Sequence, residues 1–167
     1  LAHAGRSAQG AQLFLEAVEH AEQSQRTELR IWAAQHMLQS GHFDEGQKII
    51  RDVLTSLGES YPESQGSTLA SVLYSRLALR MRGFGFERRE ASRIEPEVLQ
   101  RVDALCSASS GFSMTDPIRS ASFMGRWLLA ALRAGEPYRV ACALCMFSMI
   151  TASGGGLARA QTASQIK

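Results

Sequence analysis

Lysine is almost missing: Lys48 and Lys167 stand beside sixteen arginines in 167 residues. Composition bias accounts for most of that, although arginine is also the better partner in buried ion pairs. The formal net charge of +2 is too small to argue on its own for a nucleic-acid or membrane-surface ligand. Cysteine is scarce and odd in number, three residues without framework spacing. That excludes a disulfide scaffold and points to a reducing compartment, hence a cytoplasmic location. No basic start followed by an apolar core marks the N-terminus as a secretory signal. The longest uncharged run, from Val140 up to Arg159, is interrupted by Ser148, Thr151 and three glycines, so its apolar part is too short to span a bilayer. Strand-type alternation is missing as well. The chain also lacks an initiating methionine and stops within a helical pattern, as expected of a piece of a longer protein. What is present, 45% hydrophobic and 20% charged residues, suits a folded globular domain.

The pattern is clearest from Leu29 to Gly58. Leu29, Ala33, Ala34, Met37 and Leu38 fall at helical spacing, and so do Gly46, Ile50, Val53, Leu54 and Leu57. Ser40-Gly41-His42 separates the two sets, with Gly41 where a helix end favours a left-handed residue. Asp44 and Glu45 then meet the positive end of the next helix. The small residues Ala34 and Gly46 predict a close approach of two antiparallel helices. Such a hairpin cannot bury its apolar stripe alone, which implies neighbours of the same kind.

This stretch resembles one tetratricopeptide repeat, a helix–turn–helix unit recurring every ~34 residues. Arg30 replaces the large aromatic of the first helix, Gly46 the usual alanine and Gly58 the usual proline, so the repeat is degenerate. A second, weaker unit has Ala131, Gly135, Val140, Leu144 and Phe147 at matching spacing. From Arg82 onward, Arg101-Val102-Asp103, Gly111, Met114, Asp116, Ile118-Arg119 and Leu132 to Arg139 resemble the helical-repeat tail of large bacterial proteins that join a serine/threonine kinase domain to an ATPase module. The resemblance covers roughly residues 27–156. It implies an interaction segment; none of the kinase or ATPase signature motifs is present in the chain.

The expected architecture is all-α, an α-solenoid of seven or eight helices in antiparallel pairs. Residues 1–167 form a single segment, with pairs at about 27–58, 67–110 and 116–153 and partial helices at 7–22 and 157–167. In the first helix Leu13, Ala17 and Ala21 are expected on one face, with Phe14 and Val18 beside them. In the helix of residues 67–82 Ser67 is the expected cap, and Leu69, Leu73 and Leu77 are expected inward. Pro96 and Asp116-Pro117 mark two further helix starts. Ile118, Ala121, Gly125, Leu128, Leu129 and Leu132 form the stripe of the second. The run from Tyr138 to Ile150 is apolar nearly all round and is expected to be buried, ahead of a break at Ser153 to Gly156.

Several constellations invite chemistry. Cys142 and Cys145 have redox or metal-ligand spacing, but a redox pair belongs at a strand-to-helix turn and no further zinc ligands accompany them. Core packing is the favoured reading. His36, His42 and Asp44 gather near the central turn without a spacing that makes them converge. Gly83-Phe84-Gly85 and Gly154 to Gly156 lack the lysine-serine/threonine pair of a phosphate loop. Arg76, Arg80, Arg82, Arg88, Arg89 and Arg93 form a basic stretch with Phe84 and Phe86, yet Glu87, Glu90 and Glu95 intervene. Internal ion pairing is favoured there over an acidic peptide or protein partner and over nucleic acid, with Arg76 and Arg80 on a face that also lines the packed side.

The favoured function is a non-catalytic scaffold that binds a protein or peptide, other domains of the same chain included, with no cofactor, metal, nucleic acid or membrane. Its expected contacts are Arg30, Gln35, Arg76 and Arg80. The alternatives are a small helical enzyme or metal-binding domain using His36, His42 and Asp44 or the cysteine pair, and nucleic-acid binding through Arg76 to Arg93.

Overall fold

A computed structural model describes residues 7–164, with side chains described for residues 8–22 and 25–152. Among the described residues seven α-helices follow in order: α1 (Ser7–His20), α2 (Gln23–Gln39), α3 (Phe43–Ser56), α4 (Gln65–Arg82), α5 (Pro96–Phe112), α6 (Pro117–Ala134) and α7 (Pro137–Ser164). A single 3-10 turn, Ala91–Arg93, interrupts the connector between α4 and α5. No strand occurs among the described residues. The protein is all-α, as its periodicity implies.

Local chemistry sets the helix ends. Gly41 has φ +89°, and the His42 N–H donates to the Met37 carbonyl at 3.0 Å while the Gly41 N–H donates to Leu38 at 3.3 Å. This paired arrangement satisfies carbonyls that α2 would otherwise leave open, and it needs a residue without a Cβ at its left-handed position. Gly58, with φ +73°, ends α3 the same way, the Glu59 N–H reaching the Leu54 carbonyl at 2.8 Å. Asp116 caps α6 by accepting the Arg119 N–H at 3.0 Å, directly before Pro117. A proline there forgoes only a donor that has no helical partner.

The core runs along α2, α5 and α6. Gly46, Ile50, Val53 and Leu54 of α3, and Leu57 just past its end, are all buried, as their spacing predicts. Leu38 is the wedge between three helices. A Cβ at Gly46 would lie 2.8 Å from Leu38 Cγ, and one at Gly111 would lie 2.5 Å from Leu38 Cδ1. The leucine therefore fills space left by a glycine on α3 and another on α5. Complete burial of such a side chain is worth about 1.5–3 kcal/mol.

Helix α1 rests on α2, α2 and α3 both touch α5, α5 touches α6, and α6 touches α7. The main contact of α4 is with α6, so α4 and α5 are not the principal partners that the grouping 67–110 anticipates. The loop between α3 and α4 is tied down by arginines. Arg101 donates to the Leu57 carbonyl at 3.1 Å, and Arg126 donates to the Ser60 carbonyl at 2.7 Å and to the Glu59 carboxylate. Tyr61, its phenol pushed up by burial and partly brought back by Arg119, accepts from that guanidinium at 2.6 Å.

Four expectations are corrected. Leu13 and Ala17 point outward, because α1 meets α2 through Gly10 and Ala11, with Phe14 and Val18 half-buried. Ile118 is exposed at the first turn of α6, before that helix reaches the core. No break occurs at Ser153 to Gly156, where the α7 backbone stays helical; the proposed last helix, 157–167, is its continuation as far as Ser164, and residues 165–167 lie outside the described residues. Helix α7 is also less buried than its all-round apolar sequence suggests. Val140 and Ala143 are buried, whereas Cys145, Met146, Met149 and Ile150 are exposed, because α6 covers only one side.

Candidate functional site

Helix α4 sits on the body with its polar side inward. Ser64 begins it with a reciprocal cap, its Oγ accepting the Ser67 N–H and its own N–H donating to Ser67 Oγ, both at 3.1 Å. The expected cap, Ser67, is thus the returning half of this box. At the other end Arg82 donates to the Leu132 carbonyl at 3.1 Å and to the Gly85 carbonyl at 3.0 Å. The connector continues over the end of α6, where the Arg89 N–H donates to the Gly135 carbonyl at 2.9 Å. The C-terminal end of the helix is therefore held to α6.

Between the two ends the contact with α6 is made by small residues. A Cβ at Gly125 would lie 2.5 Å from the Ser75 Cβ, and Ser122 Oγ donates to Ser71 Oγ at 2.8 Å. Thr68, Ser75 and Leu79 are buried. This reverses the expected orientation. Leu69, Leu73 and Leu77 are 50%, 67% and 59% exposed, with Tyr74 at 64% and Met81 at 81%. The reason is steric: beside Gly125 the helices are too close for leucine, so Ser71 and Ser75 turn in there, Leu79 packs inward one turn further on, and Leu69, Leu73 and Leu77 turn out. Each serine hydroxyl lost to water is returned a partner, as Ser75 Oγ donates to the Ser71 carbonyl at 2.8 Å.

Arg76 and Arg80 are exposed beside these leucines, not on the packed side as expected. Neither has a carboxylate partner among the described residues. The remaining expected contacts lie elsewhere. Arg30 is half-buried on α2, and Gln35 Oε1 accepts from Ser107 Oγ at 2.9 Å, which engages it in the α2–α5 contact. The four residues are split between α2 and α4. Sequence reasoning missed Leu73, Tyr74, Leu77 and Met81 as surface residues, although the serines at 71 and 75 on the opposite side of α4 carried the signal.

The other constellations are dispersed. His36 stacks on Phe14, centroids 5.7 Å apart and planes 3° apart, with Trp32 at 6.5 Å. His42 turns its Nδ1 to Ser40 Oγ at 3.1 Å, and Asp44 is exposed on α3. No group of three His, Cys, Asp or Glu side chains placed to hold a metal ion occurs among the described residues. Cys142 is half-buried and Cys145 exposed on α7, while burial pushes the Cys106 thiol up to about 11. In the basic stretch Arg89 meets Glu87 at 3.1 Å and Arg93 meets Glu90 at 3.9 Å, both pairs exposed. Such pairs contribute at most about 1 kcal/mol.

Glu136 is the most engaged carboxylate. It caps α7 by accepting the Tyr138 and Arg139 N–H groups at 3.1 and 2.8 Å. Burial alone would raise its pKa; these donors and the Arg139 guanidinium outweigh that and hold it below the usual range. Arg139 in turn grips Asp103 of α5 with two bonds of 2.8 and 2.6 Å. The network fixes α7 to α5.

No helix among the described residues is long and apolar enough to cross a membrane. No family model matches the chain. No curated protein matches it, and neither does any solved structure.

Proposed function

We propose that this chain is a non-catalytic helical scaffold that binds a protein or peptide, working in the cytoplasm. The observation that carries this reading is the outward stripe Leu69–Leu73–Leu77 on a helix packed on α6 and fastened to it at its C-terminal end. Contiguous exposed apolar surface is costly in a lone protein and marks interaction sites. The order of helix contacts supports an α-solenoid: α2 and α3 make one pair, α5 and α6 rest on it as a second, and α7 begins a third. On this view α4 is an inserted helix carried on the outside of the second pair. The resemblance to repeat tails of bacterial serine/threonine kinase and ATPase proteins assigns the scaffold a regulatory role within such a protein.

The test is site-specific photo-crosslinking in the cells that encode the chain. A benzophenone side chain at position 73 or 77 should give one discrete polypeptide adduct, identifiable by mass spectrometry. The same group at the exposed positions 52 and 97 should give none. Equal adducts at all four positions, or none at 73 and 77, would contradict the reading.

A further inference from the structure

The stripe on α4 has an electrostatic side, and that side specifies its partner. The helix contains no acidic residue, and its arginines are Arg76, Arg80 and Arg82. Arg82 is spent on carbonyls of Leu132 and the connector. Arg76 and Arg80 remain in water without a carboxylate among the described residues. At about 3.6 residues per turn Arg76 falls just outside Leu69 and Arg80 between Leu69 and Leu73, while Tyr74 and Met81 lie beyond Leu77 on the other side. Both cations therefore lie toward the Leu69 side of the apolar band, and none lies on the Tyr74–Met81 side.

We propose that this face docks an acidic amphipathic helix of a protein partner, its apolar side on Leu69, Leu73 and Leu77 and its carboxylates along the Arg76–Arg80 side. This rests on the scaffold reading above and adds the partner's chemistry. From Leu69 to Met81 the band is about 18 Å long, enough for a little over three turns of a facing helix. Rows of side chains on one helix accept rows from another at a defined crossing. Arginine gives such a contact direction, because its fork pairs with carboxylates in a fixed plane. A second copy joined α4 to α4 is disfavoured by the same residues: no carboxylate on either helix would meet the arginines, and an antiparallel pairing would bring them to the same side. An anionic bilayer is disfavoured too, since two cations on one side supply only about 1 kcal/mol each.

The experiment is a displayed library of amphipathic helices with leucines at helical spacing and random residues at the flanking positions, selected on the whole chain. Selection on the wild-type chain should enrich Asp and Glu on one flank, and the winners should bind R76E/R80E at least about tenfold more weakly. Selection on R76E/R80E should enrich Lys and Arg instead. The winners should lose binding to L73Q/L77Q, with circular dichroism showing both variants folded. Enrichment without charge preference overturns the acidic partner while leaving the scaffold reading intact, provided the crosslinks at 73 and 77 persist. Failure to select any binder that depends on Leu73 and Leu77 overturns the proposal. So does tighter binding to phosphatidylserine vesicles than to the winners, or dimerisation of the chain abolished by L73Q/L77Q.

Discussion

Gly125 of α6 lies so close to Ser75 of α4 that an added methyl would stand 2.5 Å from the serine Cβ. That atom is one bond from backbone, so relief requires the helices to separate. Alanine at 125 gains about 1 kcal/mol of helix propensity. Overpacking costs about 1–3 kcal/mol, and here it should prevail. Gly125→Ala is expected to lower stability, and Ser75→Gly added to it should return part of the loss beyond the sum of the single effects. Urea denaturation of the four-member cycle measures the coupling. Additive behaviour would mean that α4 does not rest on α6 at this point.

The carboxylate of Glu136 gives the fold a pH signature. Its pKa in the folded chain lies below the ordinary value, so ionisation favours the folded state. The contribution is complete above the unfolded value of about 4.3 and is lost as pH falls through the lower, folded value. At pH 7, Glu136→Gln should lower Tm by about 2–4 °C, as loss of a cap near 1 kcal/mol implies. The gap between wild type and variant should close as acid is added below pH 4. A gap that stays constant with pH would show that the carboxylate is not held ionised by its donors.

The cysteines should react in a set order. Cys145 is exposed on α7, whereas burial pushes Cys106 up to about 11 and leaves it little thiolate at neutral pH. With a thiol reagent at pH 7.5 the fast phase should belong to Cys145, and Cys106 should follow at least about a hundredfold more slowly. Cys145→Ser should remove the fast phase. Its survival there, and loss in Cys106→Ser, would contradict the placement of α7. This reverses the protection that the sequence suggested for Cys145, since α7 is apolar on every side and its pattern carries no phase to say which side is covered.

Legibility followed the same rule through the chain. The central hairpin was readable because its glycines and its apolar residues agree: Gly41 closes α2 and Gly46 receives Leu38, both within a few residues of the segments they organise. Gly111, the other half of the Leu38 seat, was not, because it lies on α5 and nothing near it refers to α2. Helix α4 was misread for a related reason. Three leucines at helical spacing ordinarily mark a core face, and the residue that reverses this one, Gly125, lies about fifty positions away. Of the expected contacts, Arg76 and Arg80 stand on the exposed face, while the role of Gln35 depends on Ser107, a partner that its own neighbourhood does not name.

The central claim is that Leu69, Leu73 and Leu77 of α4 face water and contribute little to the chain's own core, which is what leaves them for a partner. The direct measurement is the unfolding free energy of L69Q/L73Q/L77Q beside Leu128→Ala, a buried position on α6. Glutamine is about as good a helix former as leucine, so propensity should not obscure the result. Each α4 substitution is expected to change stability by no more than about 0.5 kcal/mol, while Leu128→Ala should cost about 2–5 kcal/mol. A loss in the triple variant as large as that of Leu128→Ala would place the leucines in the core and leave no docking face.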